Sequence, residues 1–256
     1  MEINSNGLNM KKNAEAEAQV EIFKVAAQDV RYFEAAVGYL ARPRKKGVYP
    51  GVIMIHEYWG LSEHVKEMAR ELAKNGYAVL AVDLYNGQVT ADPERAMKLV
   101  SAVRKNQALE NMQAAAAYLR NQLQAEKIAS IGWCFGGGQS LQLALSGEKL
   151  DGTIIYYGNL ETDKKLLKKI HWPVLGIFGD RDAAIPVATV REFETALQSL
   201  HIVNEIYVYP GVGHAFANPS NPKHAPVETR DAWEKTLAFL NRNLKYFFRR
   251  IRVKIK

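Results

Sequence analysis

Short apolar runs alternate with amphipathic segments along most of the chain. Residues 51–56 and 77–84 form nearly continuous apolar runs, which is typical of strands buried on both faces. Between them, apolar side chains recur at helical spacing from Val65 to Leu72, after a candidate N-cap at Ser62. The alternation also predicts early strand structure within 30–41, strands at 128–132, 152–157, 174–178 and 202–209, and helices starting near 92 and covering 108–123, 160–169, 187–200 and 226–244. This pattern predicts an α/β fold with a mostly parallel central sheet flanked by helices on both faces.

The strand predicted at 128–132 leads directly into the segment Gly132-Trp133-Cys134-Phe135-Gly136, which precedes a helix of small residues. A reactive residue between glycines, on a sharp turn from strand to helix, is the pattern of a nucleophile elbow. A free cysteine is more often a small buried apolar residue. The glycines and the turn favour a nucleophilic role for Cys134, the only cysteine in the chain.

A base and an acid are expected just past other strand ends, because ligands of open parallel sheets bind at the carboxyl ends of the strands. His214 lies in a glycine-rich loop after the last predicted strand and is the best candidate among six histidines. Asp180 and Asp182 both follow the strand at 174–178. The chain order of nucleophile, acid and histidine favours Asp182 with His214, while Asp180 is expected to cap the turn. Both aspartates would also suit an ordinary turn.

Glu57 directly follows a buried strand, where a carboxylate is unfavourable without a partner. Close to Cys134, this carboxylate would disfavour a resting thiolate and would accept the thiol proton when substrate binds. The alternative is an interaction with the N-terminus of the helix that follows Ser62. In an elbow of this kind the oxyanion hole is formed by two backbone N–H groups, here predicted to be those of Phe135 and Tyr58.

Several other kinds of site are disfavoured by their missing residues. The glycines near Cys134 lack both the dinucleotide spacing G-x-G-x-x-G and the Gly-Lys-Ser/Thr of a phosphate loop. His56-Glu57 is not followed by the second histidine of a zinc protease, because Gly60 occupies that position. One cysteine supports neither an internal disulfide nor a thiolate-rich zinc site. We therefore expect no metal and no cofactor.

The formal net charge of +7 comes mostly from the C-terminal residues 249–256, whose five basic side chains leave +2 on the rest of the chain. A short basic terminus without aromatic or motif context seldom defines a nucleic-acid site, so we expect no nucleic-acid partner. No apolar stretch approaches the ~18 residues that span a bilayer, and the polar N-terminus does not resemble a signal peptide. These features predict a cytoplasmic protein without a membrane partner, as a monomer or weak homodimer. Residues 1–20 are expected to form a flexible extension, 21–248 one domain, and 249–256 a basic tail.

The residues named above resemble the dienelactone hydrolase family of α/β-hydrolases over about residues 30–244. Four segments and a looser fifth carry this resemblance: His56-Glu57-Tyr58-Trp59-Gly60, Asp83-Leu84-Tyr85, Gly132-Trp133-Cys134-Phe135-Gly136-Gly137, Gly213-His214-Ala215-Phe216 and Asp182-Ala183-Ala184-Ile185-Pro186. The resemblance implies an α/β-hydrolase fold and a triad of Cys134, His214 and Asp182. It also implies that Glu57 keeps the thiol protonated until substrate arrives, and that Tyr85 lines the substrate pocket. Trp59 is a further candidate for binding the substrate.

One departure from the family pattern concerns substrate choice. Family members that act on dienelactone hold its carboxylate partly with an arginine four residues after the catalytic histidine, where this chain has Asn218. A second substrate-binding arginine comes from the helix after the Asp-Leu-Tyr segment, where Arg95 is near but not clearly in register. Losing a guanidinium removes a bidentate clamp on a carboxylate, so dienelactone itself becomes a doubtful substrate.

The sequence thus favours a hydrolase that opens a small-molecule lactone or small ester through an acyl-enzyme at Cys134. A general carboxylesterase or thioesterase with the same triad is the alternative, and the main support for it is Asn218. A non-catalytic α/β-hydrolase scaffold is a third hypothesis, which the intact nucleophile, acid and base disfavour.

Overall fold

The computed structural model describes residues 22–245, so the predicted extension 1–20 and basic tail 249–256 lie outside the described residues. The strands are β1 Val25–Phe33, β2 Ala36–Pro43, β3 Gly51–Ile55, β4 Ala78–Val82, β5 Ile128–Trp133, β6 Gly152–Tyr156, β7 Val174–Gly179 and β8 Asn204–Tyr209. The helices are α1 Glu63–Lys74, α2 Pro93–Ala102, α3 Lys105–Leu123, α4 Phe135–Leu145, α5 Lys164–Leu167, α6 Val187–Ser199 and α7 Pro226–Leu244.

The eight described strands form one sheet in the order β1-β2-β4-β3-β5-β6-β7-β8. Strands β3 to β8 are parallel, whereas β1 and β2 form an antiparallel pair at one edge, with β2 antiparallel to β4. The predicted mostly parallel sheet is therefore confirmed. Parallel strands end at one edge of the sheet, so the loops after β3, β5, β7 and β8 lie on the same side.

Two apolar cores cover the two faces of the sheet. On β3, Ile53 and Ile55 point into one core, which α3, α4 and α6 complete. Val52 and Met54 alternate with them and point into the other core, against α1 and α7. Burial of both faces explains why the central strands are continuously apolar rather than alternating.

The helix predicted over 160–169 is wrong for most of its length, because only Lys164–Leu167 is helical. The carboxylate of Glu161 accepts the N–H groups of Thr162 and Asp163 at 2.9 and 2.8 Å. Asp163 then caps α5 by accepting the N–H of Lys165 at 2.8 Å. Carboxylates that bind nearby backbone N–H groups compete with helical hydrogen bonds, which delays the start of this helix.

The elbow requires close approach between α4 and β3. A Cβ at Gly136 would collide with the carbonyl oxygens of Ile55 and His56, whereas one at Gly138 would meet nothing nearer than 3.4 Å, at the backbone N of Asn159. We therefore expect Gly136→Ala to lower the free energy of unfolding by about 3 kcal/mol or more, since backbone has to move. The matched variant Gly138→Ala should change it by less than about 1 kcal/mol. Urea unfolding checks this, and equal midpoints for the two variants would contradict it.

Candidate active site

Cys134 lies on a strained turn between β5 and α4. Its backbone adopts φ 53° and ψ −117°. Residues other than glycine rarely adopt this conformation unless the surrounding structure holds them in it. The N–H of Cys134 donates to the carbonyl oxygen of Tyr156 at 3.0 Å, which ties the turn to the neighbouring strand β6. The sharp turn predicted from the flanking glycines is present, and it presents the thiol at the carboxyl edge of the sheet.

Cys134, His214 and Asp182 form a continuous hydrogen-bonded chain. Cys134 Sγ lies 3.1 Å from His214 Nε2, and His214 Nδ1 lies 2.7 Å from Asp182 Oδ2. The other carboxylate oxygen of Asp182 accepts the N–H groups of Ala184 and Ile185 at 2.8 and 3.0 Å. These two bonds hold the buried carboxylate of Asp182 in one orientation toward the imidazole.

The neighbouring Asp180 has a different role. Its Oδ1 accepts the N–H of Gly211 at 2.7 Å and so joins the loop after β7 to the loop after β8. This agrees with the turn-capping role expected for Asp180, and it leaves Asp182 as the carboxylate that contacts the imidazole.

The charges of His214 and Asp182 stabilise one another. Burial would raise the pKa of Asp182, but the hydrogen bond from His214 and those from two backbone N–H groups outweigh it, so the pKa lies below its usual value. Burial would lower the pKa of His214, but hydrogen bonds with Asp182 and Cys134 raise it above its usual value. These contacts raise the affinity of His214 for a proton, which suits a neutral imidazole that has to remove one from a thiol.

The loop that carries His214 is held by residues for which sequence reasoning gave no signal. Asn221 Nδ2 donates to the carbonyl oxygens of His214 and Ala215 at 3.1 and 3.0 Å. The ring of Tyr157 lies edge-on to the imidazole, with centroids 5.3 Å apart. These contacts cross between separate loops, so local sequence patterns do not predict them.

Glu57 is buried and bound to Asn218. Its Oε2 accepts a hydrogen bond from Asn218 Nδ2 at 2.5 Å, and among the described residues nothing bonds its Oε1. Burial raises the pKa of Glu57 to about 7, against the opposing effects of the Asn218 hydrogen bond and the charge of His214. This carboxyl group can therefore gain or lose a proton near neutral pH.

His56 positions the backbone beside Glu57. Its Nδ1 donates to the carbonyl oxygen of Glu57 at 2.6 Å, and its Nε2 accepts the N–H of Leu84 at 3.2 Å. The ring is fully buried, and burial lowers the pKa of His56. A neutral imidazole that donates at one nitrogen and accepts at the other links β3 to the loop after β4.

A cavity of about 720 Å³ opens beside the thiol. Cys134, His214 and Glu57 line it, as do four further residues singled out in the sequence: Asn218, Trp59, Tyr58 and Phe135. Helix α2 adds residues that sequence reasoning missed, Pro93, Met97 and Val100. Phe135 is the first residue of α4, and first-turn N–H groups have no partner within a helix.

Two residues expected at the substrate pocket lie elsewhere. The Tyr85 side chain is buried against the rings of His56 and Phe135, with centroid distances of 4.6 and 5.8 Å, and is not among the residues that line the cavity beside Cys134. Arg95 is exposed on α2. It lies about half a helical turn away from the face that carries Pro93 and Met97, so its guanidinium is not part of the cavity wall.

The buried carboxyl group of Glu57 predicts a pH-dependent stability. Its pKa is about 7 in the folded chain against an ordinary 4.5, so the native state keeps a proton that the unfolded state has lost. Stability should therefore fall as pH rises from 4.5 to about 7. Above that window, Glu57→Gln should be more stable than the wild type by roughly 3 kcal/mol, and near pH 4 the difference should be small.

Urea unfolding across this pH range checks the expectation, with the exposed Glu126→Gln as the control. The control should shift the free energy of unfolding by less than about 0.5 kcal/mol at every pH. A Glu57→Gln variant that is no more stable than the wild type at pH 8 would contradict the prediction.

Two features of residues 22–245 bear on other functions. In that range, no group of three or more histidine, cysteine, aspartate or glutamate side chains is arranged to hold a metal ion. Within the same residues, no helix has both the length and the apolar character needed to cross a membrane.

Comparison with known proteins places the chain in a family. The model of the dienelactone hydrolase family matches residues 36–244. A Yersinia pestis protein named "putative carboxymethylenebutenolidase" is 31% identical over 215 residues, which cover 78% of this chain and 80% of that protein. The confirmed features are the α/β-hydrolase fold and the predicted family.

Solved structures agree with this assignment. A crystal structure described as a putative dienelactone hydrolase, from Klebsiella pneumoniae subsp. pneumoniae MGH 78578, has a TM-score of 0.77 and 29% identity, covering 84% of this chain and 98% of that one. The α/β-hydrolase enzyme MGS-M1 from a deep-sea metagenome library shares the fold alone, with a TM-score of 0.67 and 14% identity over 88% of this chain and 99% of its own. This chain therefore belongs to the dienelactone hydrolase family, and is a hydrolase that acts on ester bonds.

Proposed function

We propose that this protein hydrolyses a lactone or a small carboxylic ester through a covalent acyl-enzyme on Cys134. The observation that carries the proposal is the unbroken chain from Cys134 Sγ through His214 to Asp182, at 3.1 and 2.7 Å, beside a cavity of about 720 Å³. A nucleophile within reach of a base, and a base oriented by a third group, is the arrangement used for acyl transfer.

In the acylation step, His214 takes the thiol proton and Cys134 Sγ adds to the ester carbonyl carbon. The tetrahedral oxyanion is held by the backbone N–H groups of Phe135 and Tyr58. When the carbon–oxygen bond breaks, His214 returns its proton to the departing alkoxide. A thioester remains on Cys134, and an alcohol is released, or stays tethered if the substrate is a lactone.

Deacylation reverses these roles. His214 removes a proton from a water molecule, and the resulting hydroxide adds to the thioester carbonyl carbon. The carbon–sulfur bond breaks, the acid product leaves, and the proton on His214 restores the thiol of Cys134. Asp182 stabilises the imidazolium form of His214 in both steps.

Glu57 is assigned to control of the thiol proton. Its carboxyl group lines the same cavity as Cys134, has a pKa of about 7 and leaves one oxygen without a partner among the described residues. When ionised, this carboxylate would disfavour a resting thiolate on Cys134, so the thiol would keep its proton until His214 removes it in the acylation step. The hydrogen bond from Asn218 holds the carboxyl group in place until then.

The proposal also covers the location, the partners and the oligomeric state of the enzyme. We take the enzyme to be cytoplasmic, where a free catalytic thiol stays reduced, and to act on small molecules without a cofactor, metal, membrane or nucleic-acid partner. A monomer or weak homodimer is expected, with residues 21–248 as the folded domain. Sedimentation over a range of concentrations measures the oligomeric state, and a tight oligomer would contradict this part.

The covalent mechanism is tested by trapping the intermediate. Para-nitrophenyl acetate is mixed rapidly with the protein, and the early release of nitrophenol is followed. We expect a burst equal to the enzyme concentration and, after acid quench, an acetyl group on the peptide that contains Cys134. Slow hydrolysis without a burst or adduct would contradict an acyl-enzyme, and no hydrolysis of any ester or lactone would favour the non-catalytic scaffold.

A further inference from the structure

Apart from the triad and Glu57, the described side chains that line the catalytic cavity are uncharged. Its apolar residues include Trp59, Pro93, Met97, Val100, Ile185 and Pro222. In the part of the chain that the structure describes, no lysine or arginine lines the cavity. A carboxylate that entered would lose hydration without gaining a cationic partner.

Two amide side chains at the cavity, those of Asn218 and Asn221, are hydrogen-bonded to the protein. Asn218 donates through Nδ2 to Glu57, and its Oδ1 accepts the N–H of Ser220 at 2.8 Å. Asn221 likewise donates to the loop of His214 and accepts the N–H of Lys223 at 2.9 Å. Both N–H donors of Asn221 and one of the two on Asn218 are therefore used within the protein, and the carboxylate of Glu57 would repel an anion when ionised.

Helix α2 supplies an apolar face at the cavity. Pro93, Met97 and Val100 recur at a spacing that places them on one side of the helix. Met97 is 57% exposed, so a large apolar side chain stands uncovered at the cavity. An apolar group of a bound substrate would remove this surface from water.

Given the hydrolase function proposed above, we propose that the site selects uncharged esters or lactones whose apolar group lies against Met97 and Val100 of α2, and rejects substrates that carry a free carboxylate. The site would distinguish substrates by their charge as well as by their size, because its described walls provide apolar contacts and no lysine or arginine.

The test compares para-nitrophenyl heptanoate with the para-nitrophenyl monoester of pimelic acid, which has the same acyl length but ends in a carboxylate. The methyl ester of that monoester separates charge from polarity. Near pH 8, where Glu57 is mostly ionised, kcat/KM should be on the order of 100-fold higher for the heptanoate than for the acid, with the methyl ester between them. Equal values for heptanoate and acid, or a preference for the acid, would overturn the specificity and leave the proposed hydrolase intact. Hydrolysis of none of the three would overturn both.

A charge on α2 tests the location of the apolar group. Met97→Lys places an ammonium at an exposed position, where it should not disturb folding, and should raise kcat/KM for the acid about 10-fold while lowering that for the heptanoate. Met97→Gln is the matched control, which removes apolar surface without adding charge. It should lower the heptanoate value without raising that of the acid. Failure of Met97→Lys to alter the ratio between the two esters would overturn the placement against α2.

Discussion

Replacing Cys134 with alanine is expected to lower kcat/KM for ester hydrolysis by about 10⁵-fold, equivalent to about 7 kcal/mol of transition-state stabilisation. The sulfur of Cys134 is the only atom of the triad that forms a covalent bond to the substrate carbonyl carbon in the proposed reaction. His214 would remain in place without a thiol proton for its Nε2 to accept, and the N–H groups of Phe135 and Tyr58 would still polarise a bound carbonyl. The residual rate should therefore reflect binding and the oxyanion hole alone.

Cys134→Ser is the informative companion to this variant. A hydroxyl on the same turn keeps the hydrogen bond to His214 but is harder to deprotonate than a thiol, so activity should fall between those of the wild type and the alanine variant. Steady-state kinetics measure both variants, and thermal unfolding verifies that both are folded. An alanine variant that kept more than a few per cent of wild-type activity would contradict the nucleophilic role of Cys134.

Asp182→Asn is expected to lower kcat by about 10⁴-fold while leaving the fold intact. One oxygen of Asp182 accepts two backbone N–H groups, from Ala184 and Ile185, so an asparagine would keep its carbonyl oxygen there. Its amide N–H₂ would then face His214 Nδ1 and force that nitrogen to accept. The proton of the neutral imidazole would move to Nε2, which could no longer take the proton of Cys134.

Asp180→Asn is the matched control for this variant, because Asp180 follows the same strand and binds the N–H of Gly211 instead of the imidazole. Its kcat should stay within about threefold of the wild type, as an amide oxygen can still accept that bond. Stopped-flow measurement of acylation and deacylation compares the two variants step by step. A larger loss for Asp180→Asn than for Asp182→Asn would reverse the assignment of the acid.

Much of this site could be predicted because its signals are local. At the turn of Cys134 the backbone segments at Gly132 and Gly136 lie so close together that a Cβ at Gly132 would collide with Gly136. The two glycines in the sequence therefore indicate this close approach directly. Asp182 and His214 follow strands β7 and β8, and parallel strands bring their carboxyl ends together whatever the loops contain. The meeting of these residues therefore depends on strand order more than on details of packing.

The substrate-binding residues were harder to predict because they depend on helix rotation and on distant loops. Arg95 and Met97 are two positions apart on α2, yet only Met97 lines the cavity, because successive positions turn by about 100° around a helix. Tyr85 was expected in the pocket but packs against His56 and Phe135 instead. The sequence pattern did not indicate which of these side chains would face the cavity.

By itself, the sequence determined the alternation of strands and helices, the two-sided burial of the sheet, the elbow at Cys134 and the family. These follow from periodicity and from the backbone requirements of glycine, which act over a few residues. Only the tertiary structure decided that Asn218 binds Glu57, 161 positions away, that His56 fixes the backbone of Glu57, and that α2 forms an uncharged cavity wall. Such contacts depend on how separate loops pack against one another. The hydrophobic effect stabilises the burial of any apolar surface, whereas a hydrogen bond requires a particular donor and a particular acceptor.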